Sequence, residues 1–147
     1  MKLYISCDHR GVNLKKYLIE HLNDYEIIES TEHNYDLDSY VDFAFELGEY
    51  VNKHDDVLGI LICGNGIGMS IAANKVKGIR CARVLTVDDA FKARNHNGAN
   101  VIALGNDLYD DFSDALNVVE TFVTTEGVSN PKYIDRVNKI INYELGE

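Results

Sequence analysis

Apolar residues along the 147-residue chain fall in short runs, and their spacing changes character from run to run. Lys2–Ser6 is too short for a helix and rich in Leu, Tyr and Ile, which predicts a strand. Across Val12–Leu22, residues Leu14, Tyr17, Leu18 and Leu22 recur at helical spacing. Glu26–Glu29 predicts a second strand and the polar segment Ser30–Ser39 a loop. Val41–Val51 then sets Phe43, Ala44, Leu47 and Val51 along one helical face. Val57–Cys63, VLGILIC, is apolar almost throughout, as a central parallel strand covered on both faces should be. A glycine-rich turn, Gly64–Gly68, and a short helix, Met69–Val76, follow it. Arg80–Leu85 and Val101–Leu104 predict strands, with a helix over Asp88–His96 between them. Two helices close the chain, Phe112–Thr124 and Pro131–Leu145. The second opens on a proline where no N–H is needed.

Strand and helix thus alternate about five times. This order predicts an α/β fold: one domain over residues 1–147, doubly wound and Rossmann-like, with a five-stranded parallel sheet and helices on both faces. Such sheets bind ligands beyond the carboxyl ends of their strands. Three loop clusters therefore draw the chemistry: Cys7-Asp8-His9-Arg10-Gly11 after strand one, Cys63-Gly64-Asn65-Gly66-Ile67-Gly68-Met69 after strand three, and Arg94-Asn95-His96-Asn97 before strand five. His9 and His96 are expected at the same end of the sheet, among polar neighbours, where an imidazole can exchange protons. His21, His33 and His54 lie in helical or surface contexts and receive no role.

Composition narrows the ligand. The net charge of −10 repels nucleic acid and anionic membrane, so any anion site must be local, built from a few cations and backbone N–H groups. The opening MKLYIS lacks a signal peptide's apolar region, and no apolar run approaches a membrane span, so a cytoplasmic location is expected. The three cysteines are odd in number and show no CxxC spacing, which disfavours a disulfide framework and a structural metal. The dinucleotide fingerprint is missing after strand one. The glycines at 64, 66 and 68 have another spacing and lack the Lys-Ser/Thr of a phosphate loop. No NAD or ATP, and no other cofactor, is expected.

The second cluster suits an anion differently. Three glycines in five residues let N–H groups converge near a helix start, where they can hold a developing oxyanion without a side chain. Cys63 sits where the strand meets this turn, and the same N–H groups and helix dipole favour a thiolate able to act as a base. The plain alternative is a buried strand-end cysteine beside a tight turn. Cys7 has only an Asp-His pair beside it, Cys81 is expected to pack in strand four, and Met69 to pack in the core. The pairs Asp55-Asp56 and Asp110-Asp111 are expected on solvated faces and at helix starts.

CGNGIGMSIAANKVKGIR, Cys63–Arg80, closely resembles the signature of the type B ribose-5-phosphate isomerases, a family that includes galactose-6-phosphate isomerase subunits and allose-6-phosphate isomerases. CDHRG at Cys7–Gly11, HNGANVIALG at His96–Gly105 and RVNKI at Arg136–Ile140 resemble further segments, in the right order over nearly the whole chain. The resemblance implies a metal-free aldose–ketose isomerase acting on a sugar phosphate through a cis-enediolate. It also implies a homodimer, alone or as a dimer of dimers, with active sites at the interface. Cys63 then matches the base, and Gly64, Gly66, Ile67 and Gly68 match the enediolate-stabilising loop. His96 matches the ring-opening residue. Asp8 and Asn97 match hydroxyl contacts, and His9 and Arg136 match part of the phosphate site.

Several positions depart from the family's pattern. Asn65 stands where Thr is usual and keeps a donor and an acceptor for a ring-opening assist. Asp107 replaces an arginine after strand five, Lys132-Tyr133 an Arg-His pair, Arg83 an apolar residue, and Val41 a proline. Lys132 and Arg136, one helical turn apart, are expected to face the same phosphate. Asp107 is expected to turn away, with Arg83 or Arg10 supplying the missing charge. The leading expectation is ribose 5-phosphate to ribulose 5-phosphate isomerisation. The alternatives are the same chemistry on a six-carbon aldose 6-phosphate, a catalytically weak sugar-phosphate-binding subunit, and a flavodoxin-type nucleotide module. Retention of Cys63 and His96 argues against the second, and the missing phosphate loop against the third.

Overall fold

The apolar run Val57–Cys63 forms the middle strand of a five-stranded parallel sheet in the computed structural model, which describes residues 1–30 and 39–147. Most of the loop expected over Ser30–Ser39, with His33, lies outside the described residues. In chain order the elements are β1 (Lys2–Cys7), α1 (Val12–His21), β2 (Glu26–Glu29), α2 (Tyr40–Lys53), β3 (Val57–Cys63), α3 (Ile67–Ala73), β4 (Cys81–Arg83), α4 (Val87–Asn95), β5 (Val101–Gly105), α5 (Phe112–Thr124) and α6 (Pro131–Glu144). A short 3₁₀ turn, Asn106–Leu108, follows β5.

The strands lie in the order β2-β1-β3-β5-β4, all parallel. From β1 the chain moves to one edge of the sheet, and from β3 to the other. The carboxyl ends of β1 and β3 therefore flank a switch point, where an open sheet forms its crevice. Cys7 and Cys63 are the last residues of those two strands.

Successive strand residues face opposite sides, so the sheet carries two cores. On one side Leu3, Ile5, Ile60, Ile62 and Ile102 pack against Leu14 and Leu18 of α1, Ala90 of α4 and Phe122 of α5. On the other, Tyr4, Leu61, Val101 and Ala103 pack against Phe43 and Leu47 of α2 and Met69 and Ala73 of α3. Cys7 belongs to the first core and Cys63 to the second. Ile60 is fully buried in the middle strand. Ile60→Ala should cost about 2–5 kcal/mol. A lower urea midpoint at an unchanged slope would check this.

Local chemistry explains where boundaries moved. α2 starts at Tyr40 rather than Val41 because Ser39 and Asp42 form a capping box. α3 starts at Ile67 rather than Met69, and Asn74, bonded to both polar groups of the Cys81 backbone, ends it early. β4 is shorter than expected because Leu85 and Thr86 already give their N–H groups to Asp89, starting α4. α6 has no buried residue, and Ile134, Ile140 and Tyr143 along it, with Leu145 just after it, are exposed. Among the described residues no helix is long and apolar enough to cross a membrane.

Candidate active site

At the carboxyl edge of the sheet, Cys63 is buried, with 4% of its surface exposed. Its Sγ accepts the Gly66 N–H at 3.1 Å. Gly66 reaches that position with φ +82°, in the left-handed region open to glycine. The other two glycines of the turn are sites of close approach. A Cβ at Gly64 would lie 2.6 Å from Arg10 Cζ, and one at Gly68 would lie 2.8 Å from the Tyr40 ring. The turn is thus clasped by a guanidinium on one side and a phenol ring on the other.

The donors of the turn are partly used by the chain itself. Asn65 Oδ1 accepts the Ile67 N–H at 3.0 Å, so the side chain expected to assist ring opening closes a local turn onto the first residue of α3 and leaves its NH₂ outside that bond. The Gly66 N–H serves Sγ. Among the described residues, the N–H groups of Gly68 and Met69, in the first turn of α3, have no acceptor.

Around the turn stand the other groups of this edge. Asp8 is buried, and its Oδ1 accepts the Arg10 N–H at 2.9 Å. His9 is exposed beside it. Arg10 donates through Nη2 to Asp107 Oδ2. Asp107 in turn gives its N–H to the Gly64 carbonyl at 3.0 Å. Asp107 therefore turns to Arg10 and fixes it over Gly64. Both side chains are about half exposed, so the pair should add at most about 1 kcal/mol to stability. Asp107→Asn is accordingly expected to melt within about that margin of the parent, read by thermal unfolding. Arg83 Nε donates to the Asn65 carbonyl at 2.9 Å, placing a second guanidinium on the same turn. Cys81 is different in kind: burial pushes its thiol up to about 12, despite a hydrogen bond from Ser70. It packs in β4 as expected.

His96 lies at the other end of the sheet. This corrects the expectation that His9 and His96 share one end. The cause is the direction of α4: it runs back along the sheet, so its C-cap, His96, lies beside the amino ends of the strands. The register fixes the separation. Val101 pairs with Gly59, and Gly105 with Cys63. Those four steps span about 13 Å at about 3.3 Å each, and His96 lies further back still. Its ring stacks on Tyr133 at 4.4 Å between centroids and meets Phe91 edge-on at 6.0 Å. Lys132 and Arg136 approach the same Tyr133 ring, at 5.1 and 5.8 Å from its centroid. Asn97 is exposed next to His96. Lys132 and Arg136 thus face one region together, but within one chain that region is remote from His9.

The expected site residues therefore form two groups. Asp8, His9, Cys63, Gly64, Asn65, Gly66, Ile67 and Gly68 gather at the carboxyl edge, and His96, Asn97, Lys132 and Arg136 at the amino edge. Sequence reasoning missed Tyr40 against Gly68 and the stacking of Tyr133 on His96. The Ser39/Asp42 capping pair was a usable sign for Tyr40, because it starts α2 one residue earlier. Nothing local in the sequence marks Tyr133. Among the described residues no group of three or more His, Cys, Asp or Glu is arranged to hold a metal ion.

Comparison with known proteins identifies the family. The family described as Ribose/Galactose Isomerase matches residues 3–140. The chain is 38% identical to the probable ribose-5-phosphate isomerase B of Mycoplasma genitalium, over 97% of this chain and 95% of that protein. It is 36% identical to the ribose-5-phosphate isomerase B of Mycolicibacterium paratuberculosis, over 98% and 92%. Among solved structures, it resembles ribose-5-phosphate isomerase B from Mycoplasma genitalium with bound ribulose-5-phosphate at a TM-score of 0.90 and 37% identity, covering 99% of this chain and 97% of that one. The Clostridium thermocellum ribose-5-phosphate isomerase B matches at 0.89 and 38%, covering 99% of each. With its sheet order, its cysteine-glycine turn and these full-length similarities, the chain belongs to the ribose/galactose isomerase family.

Proposed function

We propose that this chain is an aldose–ketose isomerase of ribose 5-phosphate and ribulose 5-phosphate, working as one cytoplasmic catalytic domain whose sites form between two copies. The reading rests on one observation above the others: Cys63 Sγ, at the switch point of the sheet, sits on the Gly66 N–H within a turn that offers further N–H groups. A thiolate there takes the proton from C2 of the open-chain aldose and returns it to C1. The negative charge passes to the C1 oxygen in the enediolate; the C2 hydroxyl proton then moves to that oxygen, so C2 becomes the carbonyl as C1 receives the proton from Cys63. The unpaired N–H groups of Gly68 and Met69 suit that oxygen. Relatives that carry the name ribose-5-phosphate isomerase B along their full length support the substrate.

His96 is the ring-opening residue in this reading, supplied by the second copy. A proton must leave the anomeric hydroxyl and another must reach the ring oxygen, and an imidazole can do both near neutral pH. Asp8 and Asn97 contact sugar hydroxyls. His9 from one copy and Lys132 and Arg136 from the other meet the phosphate, where a guanidinium makes two charge-assisted bonds. A two-fold arrangement that sets the carboxyl edge of one chain against the amino edge of the next unites the two groups twice. The apolar side chains left exposed on α3 and α6, among them Ile67, Ile71 and Ile140, offer surface for it.

The experiment is incubation with ribose 5-phosphate in deuterated water, followed by NMR. Ribulose 5-phosphate should form with deuterium at C1, and ribose 5-phosphate re-formed from it should carry deuterium at C2. Six-carbon aldose 6-phosphates run alongside, and faster turnover of one of them would replace the pentose as substrate. Absence of both turnover and exchange with every phosphorylated aldose would refute the reading.

A further inference from the structure

A single peptide unit joins Arg83 to Cys63. In a planar trans peptide the C=O and N–H point in opposite directions. The carbonyl of the Asn65–Gly66 peptide accepts Arg83 Nε at 2.9 Å. The N–H of the same peptide donates to Cys63 Sγ at 3.1 Å. Arg83 is the last residue of the edge strand β4. Its side chain lies along the turn, with Cγ 3.3 Å from where a Cβ on Gly66 would stand.

The charges around the turn make Arg83 the one to consider. Arg10 lies over Gly64, but Asp107 is bonded to it, so that pair nearly cancels. At the end of β1 stand the buried Asp8, whose Oδ1 holds the Arg10 N–H, and the exposed His9. From α2 the Tyr40 ring reaches it, at Gly68. Among the described residues no carboxylate lies within ion-pair distance of Arg83. Among the described residues Arg83 is therefore the cation on the turn that no carboxylate pairs with.

We propose that Arg83 is a positioning residue that sets how readily Cys63 holds its thiolate, acting through the Asn65–Gly66 peptide. A cation at the carbonyl oxygen polarises the amide and makes its N–H a stronger donor. A thiolate gains more from that donor than a thiol does. The bond to the carbonyl also fixes the peptide plane, so the N–H stays aimed at Sγ. The inference deepens the reading of Cys63 as the base and rests on it, yet it can be tested with no sugar present.

The test follows the ultraviolet absorbance of the thiolate against pH, taking the difference between the protein and its Cys63→Ser variant. Arg83→Met removes both the charge and the bond. It should move the rise in absorbance upward by about half to one pH unit, which is roughly three- to tenfold less thiolate at a fixed pH on the rise. Arg83→Gln keeps a neutral donor for the Asn65 carbonyl and should fall between Arg83→Met and the parent. It also serves if the methionine variant does not fold. A parental titration in Arg83→Gln, or in a folded Arg83→Met, overturns the proposal. Failure of the isomerase reading would look different: no deuterium exchange in the parent, with the Arg83-dependent titration intact.

Discussion

Cys63→Ala is expected to abolish proton exchange between sugar phosphate and solvent, lowering turnover by on the order of 10²-fold or more. The side chain is small and buried at the end of β3, with the Gly66 N–H as its polar partner. Truncation to alanine leaves that one N–H without an acceptor and opens a gap the size of one sulfur. The cost in stability should stay near 1–3 kcal/mol, leaving a folded protein whose affinity for a sugar phosphate is largely retained. Large loss of exchange with near-parental binding marks a base rather than a structural residue. Turnover close to the parent's would remove Cys63 from the mechanism. Isotope exchange measured by NMR, beside binding measured by calorimetry, gives both numbers from one preparation.

The second large effect is a recovery. Cys63→Ala and His96→Asn should each be nearly inactive alone. When the two variants are unfolded, mixed in equal amounts and refolded, activity should return to about a quarter of the parent's. Half of the two-fold dimers would be mixed, and in each of these one site would hold an intact Cys63 and an intact His96 while the other holds both defects. The prediction follows from the register of β5, which sets the two residues at opposite ends of the sheet. A site complete within one chain would recover nothing, because every chain in the mixture is defective. The pattern also discriminates against a loose structural role for His96, since a damaged fold is not repaired by a neighbour's defect elsewhere.

The Arg10–Asp107 pair belongs beside these predictions. The turn after β5 carries the acid Asp107, and the structure answers it with Arg10, laid over Gly64. The positive charge at this edge thus reaches the turn from β4 and from the loop after β1, not from the loop after β5.

Much of the architecture was legible before any coordinates. The run VLGILIC is a central strand because a strand buried on both faces has no polar alternate. The helical spacing in α1 and α2 is local, and each of those helices buries the core of the face its pattern marks. Cys63 and the glycines after it could be read as a site because strand, turn and helix start are contiguous, and a contiguous segment shapes its own backbone. Tertiary structure decided the rest. It sent α4 back along the sheet and so moved His96 away from Cys63 and His9, a consequence of helix direction that residue spacing does not encode. It brought Arg83, Arg10, Asp107 and Tyr40 onto one five-residue turn from four separate segments. Contacts of that kind depend on strand order, and strand order is settled by how the two cores close, not by any run of residues in the chain.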